Sequence, residues 1–170
     1  HKVRQLEVVL LKLDWANWEA EYNLESGQPP IHPRIIAGAI LYGLTERIRS
    51  SRELEKACGF RTDFMWLLCG RTIDHSTFAK FRTRFTAPLN ELFKQVALVA
   101  LKGKLELDLA IDGTRMRSSS SRSGAMTEKT IEKRAEAIAA NLSDAMEKME
   151  QQDLFDNPES ASSKQLQNAI

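Results

Sequence analysis

The spacing of apolar residues changes once along this chain, close to residue 103, and that change limits the folds open to it. Before this point, apolar positions recur at intervals of three and four residues, as in packed helices. Residues 105–111 instead alternate apolar and polar side chains, which predicts a half-buried strand. A single strand leaves backbone groups unpaired, so we expect its partner strands to come from residues after Ile170 or from another chain.

The pattern therefore predicts a mainly α-helical chain in three parts. Residues 1–103 are expected to form an all-helical domain. Residues 104–124 supply the strand and a basic loop rich in Ser, Gly and Arg. Residues 125–170 supply a long amphipathic helix, from Thr127 to about Gln152, and a polar tail. The chain starts at His1 without a methionine, and we expect it to be a fragment.

Helix ends carry recognisable local signals. Pro33 suits the first turn of a helix, and the run "IIAGAILYGL" that follows is apolar on most faces, which predicts a central buried helix. Ser50, with a glutamate three residues later, has the capping-box pattern. Asp74 suits an N-cap, and Gly70 suits the end of a short apolar helix.

Charge is unevenly distributed, although the net charge is only +1. Between Arg34 and Arg84 there are ten Lys and Arg residues against five Asp and Glu residues. Between Ala125 and Ile170 there are five basic and nine acidic residues. A basic middle segment favours an anionic partner for that part of the chain.

The helix predicted over 74–85 has two contrasting sides. Phe78, Phe81 and Phe85 form an apolar stripe, and the opposite side carries Ser76, Lys80, Thr83 and Arg84. Short helices with tight turns and a basic last helix resemble a helix-turn-helix arrangement. The simpler interpretation is a core stripe with a solvated charged face, and spacing alone favours it.

Other features of the sequence limit the cellular compartment of the protein and the metal sites that it could contain. Cys58 and Cys69 lie in apolar contexts and are expected to be buried, reduced thiols. No Cys/His spacing suits zinc. The longest apolar run, residues 35–44, is too short to span a bilayer, and no secretory leader is present, so we expect a cytoplasmic protein without a membrane partner.

Asp112 ends the predicted strand and is followed by Gly113. A carboxylate at the end of a strand is a suitable ligand for a divalent cation. Asp108 lies on the same face, but four strand residues span roughly 13 Å, so the two carboxylates are not expected to share one metal ion.

Three interpretations of this segment compete. The simplest is an Asp-Gly turn. A phosphatase of the haloacid dehalogenase type is the second, but Ala110 stands where its nucleophilic aspartate is required. The third is a metal-dependent nuclease or polynucleotidyl transferase of the RNase H-like kind, in which the first strand supplies the first metal-binding aspartate.

Four segments, in this order, resemble the DDE transposases of bacterial insertion sequences that carry an InsH-type N-terminal domain. They are "GQPPIHPRIIAGAILYG", "RIRSSRELEKACGFRTDFMWLLCG", "DHSTFAKFRTRF" and "LAIDGTRMRSSSS". The resemblance implies an RNase H-like α/β catalytic core, of which residues 125–170 would be a helical insertion. It also implies that the helical domain binds the terminal inverted repeats as double-stranded DNA, with a homodimer as a further expectation.

The same resemblance implies that Asp112 is the first carboxylate of an Asp-Asp-Glu triad that binds Mg²⁺ or Mn²⁺. The other two carboxylates are expected after Ile170, so this chain alone should not cleave DNA. We expect the phosphate contacts to come from basic residues of the helical module and of the loop: Lys80 and Arg84, supported by Arg49, Arg52 and Arg82, together with Arg115, Arg117 and Arg122. The alternative is a truncated transposase that acts only as a DNA-binding regulator, or a helical interaction module.

Overall fold

The computed structural model describes residues 2–20, 31–102 and 128–156. Within these ranges every regular element is a helix, and the helices are α1 (Lys2–Leu11), α2 (Ala16–Glu19), α3 (Pro33–Thr45), α4 (Ser51–Phe60), α5 (Thr62–Leu67), α6 (His75–Arg84), α7 (Thr86–Lys102) and α8 (Glu128–Asp156). The mainly helical prediction is confirmed for this part of the chain. None of these helices combines the length and the apolar character that crossing a membrane requires.

Helix α3 lies at the centre, as its apolar sequence predicts. All its residues from Ile35 to Leu44 are buried, and α1, α4, α5, α6 and α8 pack around it. Gly38 allows α1 to approach closely, because a Cβ atom at this position would lie 2.8 Å from Leu10 Cδ1. The hydrophobic core is therefore built around one helix that is buried over most of its length.

The residues predicted to start or end helices lie at helix ends in the structure. Pro33 is the first residue of α3. Ser50 Oγ accepts a hydrogen bond from the backbone N–H of Glu53 at 3.2 Å, and Asp74 Oδ1 accepts one from Ser76 N–H at 2.7 Å. These caps satisfy N–H groups that a helix leaves unpaired at its start. Gly70 has a φ of +74°, a conformation that glycine adopts without steric cost.

Helix α8 confirms the long amphipathic helix predicted near the carboxyl end, and it extends to Asp156. Its inward-facing apolar residues are buried in the same hydrophobic cluster as the other helices; they are Ala135, Ile138, Leu142, Met146 and Met149. It packs mainly along α7 and also contacts α3 and α4. The boundaries 1–103, 104–124 and 125–170 remain a prediction.

The two cysteines differ in exposure. Cys58 is buried, as predicted, but Cys69 is exposed, so that half of the prediction was wrong. Cys69 lies in the turn after α5 and has a φ of +53°. Burial raises the pKa of the Cys58 thiol to about 12, and the nearby charge of Glu55 adds to the effect.

We expect a thiol reagent at pH 8 to modify Cys69 rapidly and Cys58 slowly in the folded protein. A thiol with a pKa near 12 carries almost no nucleophilic thiolate at this pH, and its burial also excludes the reagent. Mass spectrometry of labelled peptides over time measures the two rates. Denatured protein, in which both thiols should react quickly, is the control, and equal rates in the folded protein would contradict this arrangement.

Candidate nucleic-acid interface

The aromatic stripe of α6 belongs to the core. Phe78, Phe81 and Phe85 are all buried. Trp18, in α2, stacks on two of them, with ring centroids 5.8 Å from Phe81 and 5.1 Å from Phe85. Aromatic contacts at these distances fix one side of α6 against the amino-terminal helices. The prediction that the aromatic stripe of α6 packs in the core is therefore confirmed.

The opposite side of α6 is exposed. Ser76, Lys80, Thr83 and Arg84 all lie at the surface. The guanidinium of Arg84 sits over the Phe85 ring, with Cζ 5.4 Å from the ring centroid. Two cations and two hydroxyl groups on one helical face provide the donors that contact phosphates and base edges. This arrangement fits the chemistry of a nucleic-acid surface.

Two further predicted arginines lie near the start of α4. Arg49 and Arg52 are exposed and flank Ser50 and Ser51 in the sequence. The backbone N–H of Arg49 donates a hydrogen bond to Glu53 Oε2 at 3.2 Å. The start of α4 thus carries positive charge at its surface.

Arg82, which was expected to support the phosphate contacts, is buried. Its side chain is 5% exposed and forms an ion pair with Asp153 of α8. A guanidinium enclosed in this way does not reach a ligand at the surface. In this arrangement Arg82 cannot support the exposed face of α6 as expected, because α8 covers it.

The contact between Asp153 and the start of α4 is a cluster that the sequence did not indicate. Asp153 Oδ1 accepts a hydrogen bond from Ser51 N–H at 2.7 Å, and Oδ2 accepts one from Ser51 Oγ at 2.7 Å. Arg82 Nη2 also donates to Ser51 Oγ at 3.1 Å. Burial lowers the pKa of Arg82, and the charges of Asp153 and Glu150 oppose that shift.

A second polar cluster joins α3 to α5. Asp63 accepts hydrogen bonds from Tyr42 Oη at 2.8 Å and from Arg61 Nη2 at 2.6 Å, and Arg61 also pairs with Glu46 at 2.7 Å. Burial opposes ionisation of Asp63, but the hydrogen bonds from Arg61 and Tyr42 outweigh it, so the pKa of Asp63 lies below its ordinary value. Burial, and then the hydrogen bond to Asp63, raise the pKa of Tyr42.

One group of side chains has the donor types of a metal site. His75 Nδ1 lies 2.8 Å from Glu55 Oε2 and 3.4 Å from Asp74 Oδ2, and one donor atom from each of the three residues lies within 4.8 Å of the others. The three side chains are half-buried or exposed, and Asp74 already caps α6. The His75–Glu55 hydrogen bond links α4 to the start of α6.

The predicted catalytic and loop residues lie outside the described residues. These are Asp112, the proposed metal ligand, and Arg115, Arg117 and Arg122; the predicted strand over 105–111 also falls there. Their roles remain predictions.

Comparison with known proteins gives a similarity for the amino-terminal part of the chain. Residues 1–84 match a family model described as "Transposase domain (DUF772)". Comparisons with curated proteins and with solved structures gave no significant match. The matched segment ends at Arg84, the last residue of α6, so it contains the whole of the candidate interface helix. Over the segment that ends with α6, the chain is therefore similar to a transposase domain.

Proposed function

We propose that this chain is the amino-terminal part of a DDE transposase, and that its helical module binds the terminal inverted repeats of an insertion sequence. The exposed face of α6 carries this proposal, because its cations and hydroxyl groups are displayed while its aromatic side is held in the core. The transposase domain matched over residues 1–84 supports it independently.

Electrostatics explain how such a face would bind. Each Lys or Arg that neutralises a phosphate releases condensed counterions from the DNA, so the affinity falls as the salt concentration rises. The hydroxyl groups of Ser76 and Thr83 add hydrogen bonds to phosphate or base edges. The aromatic contacts of Trp18 hold α6 in place, so little ordering is required when DNA binds.

The catalytic part of the proposal concerns Asp112. We propose that it is the first carboxylate of an Asp-Asp-Glu triad in an RNase H-like core, with the second aspartate and the glutamate downstream of Ile170. Bound Mg²⁺ or Mn²⁺ would supply Lewis acidity for strand cleavage and transfer. The DNA phosphates beside this site would be contacted by Arg115, Arg117 and Arg122. The protein would act in the cytoplasm. It would act as a homodimer if both ends of the element are bound together.

A DNA-binding regulator is the second candidate. Helix α8 shares one hydrophobic cluster with the amino-terminal helices, so these helices pack together without a strand from the described residues. A chain limited to this module would occupy the inverted repeats without cleaving them.

Incubating the 170-residue chain with Mg²⁺ and DNA that contains the ends of the element should give no nicks. Nicking would contradict the proposal that the triad is incomplete in this chain.

Replacing Lys80 and Arg84 together by glutamine is expected to weaken binding to a duplex of about 30 bp by about ten- to a hundredfold at low salt. Each lost phosphate contact should also reduce the slope of log affinity against log salt by about 0.9. Fluorescence anisotropy at several salt concentrations measures both quantities.

The matched control replaces Lys129 and Lys133 by glutamine. These lysines are exposed on α8, and their replacement removes the same charge from another surface. Equal losses of affinity in the two double variants would show that only net charge matters, and would overturn the assignment of the interface to α6.

A further inference from the structure

The end of α8 places a carboxylate on the start of a helix. Asp153 accepts hydrogen bonds from both the backbone N–H and the hydroxyl group of Ser51, the first residue of α4. The first turn of a helix presents unpaired N–H groups and a partial positive charge, and it is a common binding position for anions. Asp153 is thus an internal anion bound at such a position.

More hydrogen-bond donors surround the Asp153 carboxylate than form hydrogen bonds with it. The side chain of Arg82 is only 5% exposed, and it pairs with Asp153 through Nη2. Its Nε and Nη1 atoms are buried and have no hydrogen-bond partner among the described residues. Unpaired buried donors are costly, so a ligand that reaches them would gain from the contact. A phosphodiester group has two anionic oxygens and two weaker ester oxygens around a tetrahedral phosphorus, whereas a carboxylate has two oxygens in one plane.

Charged side chains of α4 and α8 surround the cluster. Arg49 and Arg52 lie at the surface beside Ser51, and Glu53 is in the first turn of α4. From α8, the charges of Asp153 and Glu150 oppose the effect of burial on the pKa of Arg82. The end of α8 therefore presents to the start of α4 the same sign of charge that a DNA backbone would present.

We propose that Ser51, Arg82 and the start of α4 form a binding site for a phosphate of the DNA backbone, and that Asp153 occupies this site until DNA displaces the end of α8. The proposal rests on the proposed function, because DNA must first reach the module. Arg82 and Lys80 lie on opposite sides of α6, so this phosphate contact is separate from the exposed face. Displacement of α8 would then accompany binding.

The test compares Asp153→Asn with Asp144→Asn. Both variants remove one negative charge from α8, but Asp144 is exposed, and no contact joins it to Ser51 or Arg82. With a duplex of about 30 bp, Asp153→Asn should bind about tenfold more tightly than Asp144→Asn, the factor expected when one charge-assisted hydrogen-bond contact no longer has to be broken. The two variants should have the same salt slope, because DNA contacts the same phosphates in both. Adding Arg82→Met to Asp153→Asn should remove the gain in affinity and lower the slope by about 0.9, since one phosphate contact is lost.

Hydrogen exchange of the unmodified chain gives a second, independent result, which does not depend on how well a variant folds. Binding of the duplex should lower the protection of the last turns of α8, whereas unchanged or increased protection would overturn the proposal. Equal affinity of Asp153→Asn and Asp144→Asn would also overturn it, and would leave the proposed function intact if both variants and the unmodified chain bind DNA. If none of them binds the duplex at low salt, the proposed function itself fails.

Discussion

Replacing Asp153 by alanine is expected to lower the free energy of unfolding by about 3–5 kcal/mol, because it leaves the Arg82 charge buried without its partner. Arg82 is 5% exposed, and two of its nitrogens already have no hydrogen-bond partner among the described residues. The change also removes both hydrogen bonds that Ser51 donates to this carboxylate. Urea denaturation followed by circular dichroism measures the loss.

Two further variants separate this effect from a general change in α8. Asp144→Ala on the exposed side of the helix should change the stability by less than about 0.5 kcal/mol. Adding Arg82→Met to Asp153→Ala should recover part of the loss, because no buried charge remains. If Asp153→Ala and Asp144→Ala have the same stability, the ion pair does not stabilise the docking of α8.

Replacing Asp112 by alanine in the longer protein that we propose is expected to abolish strand transfer and to preserve binding to the inverted repeats. The aspartate would supply a metal ligand and would not contribute to the basic interface, so only catalysis should be lost. A transfer assay with Mg²⁺, beside a gel-shift assay with the same DNA, measures the two properties separately.

Asp108→Ala is the control for this experiment. Asp108 has the same parity on the predicted strand but lies roughly 13 Å away along it, too far to share the metal ion. Strand transfer should therefore survive its replacement, apart from any loss through folding. Retained transfer by Asp112→Ala would remove Asp112 from the catalytic site.

The sequence was sufficient to predict those features of the structure that depend on residues close together in the chain. Caps such as Ser50 and Asp74 act within three residues of the helices that they start, so their patterns are visible in the chain. The burial of α3 follows from a run that is apolar on most faces. The stripe of α6 and the inner face of α8 follow from helical spacing, since a helix packs through its apolar side.

Contacts between distant residues could not be predicted in this way. On a helical wheel Arg82 borders the exposed face, and its burial depends on Asp153, which lies 71 residues away in the sequence. The hydrogen bond from Tyr42 to Asp63 similarly joins residues 21 apart. Periodicity shows which side of a helix is apolar. It does not show which other helix will bury the residues at the edge of that side.

The most direct test of the proposed function is a titration of the chain with duplexes taken from the DNA that flanks its gene, at several salt concentrations. We predict binding that weakens steeply as salt rises, and tighter binding to the terminal inverted repeat than to a shuffled duplex of the same composition. No binding at low salt, or equal affinity for the two duplexes, would contradict the claim that this module recognises the ends of an insertion sequence.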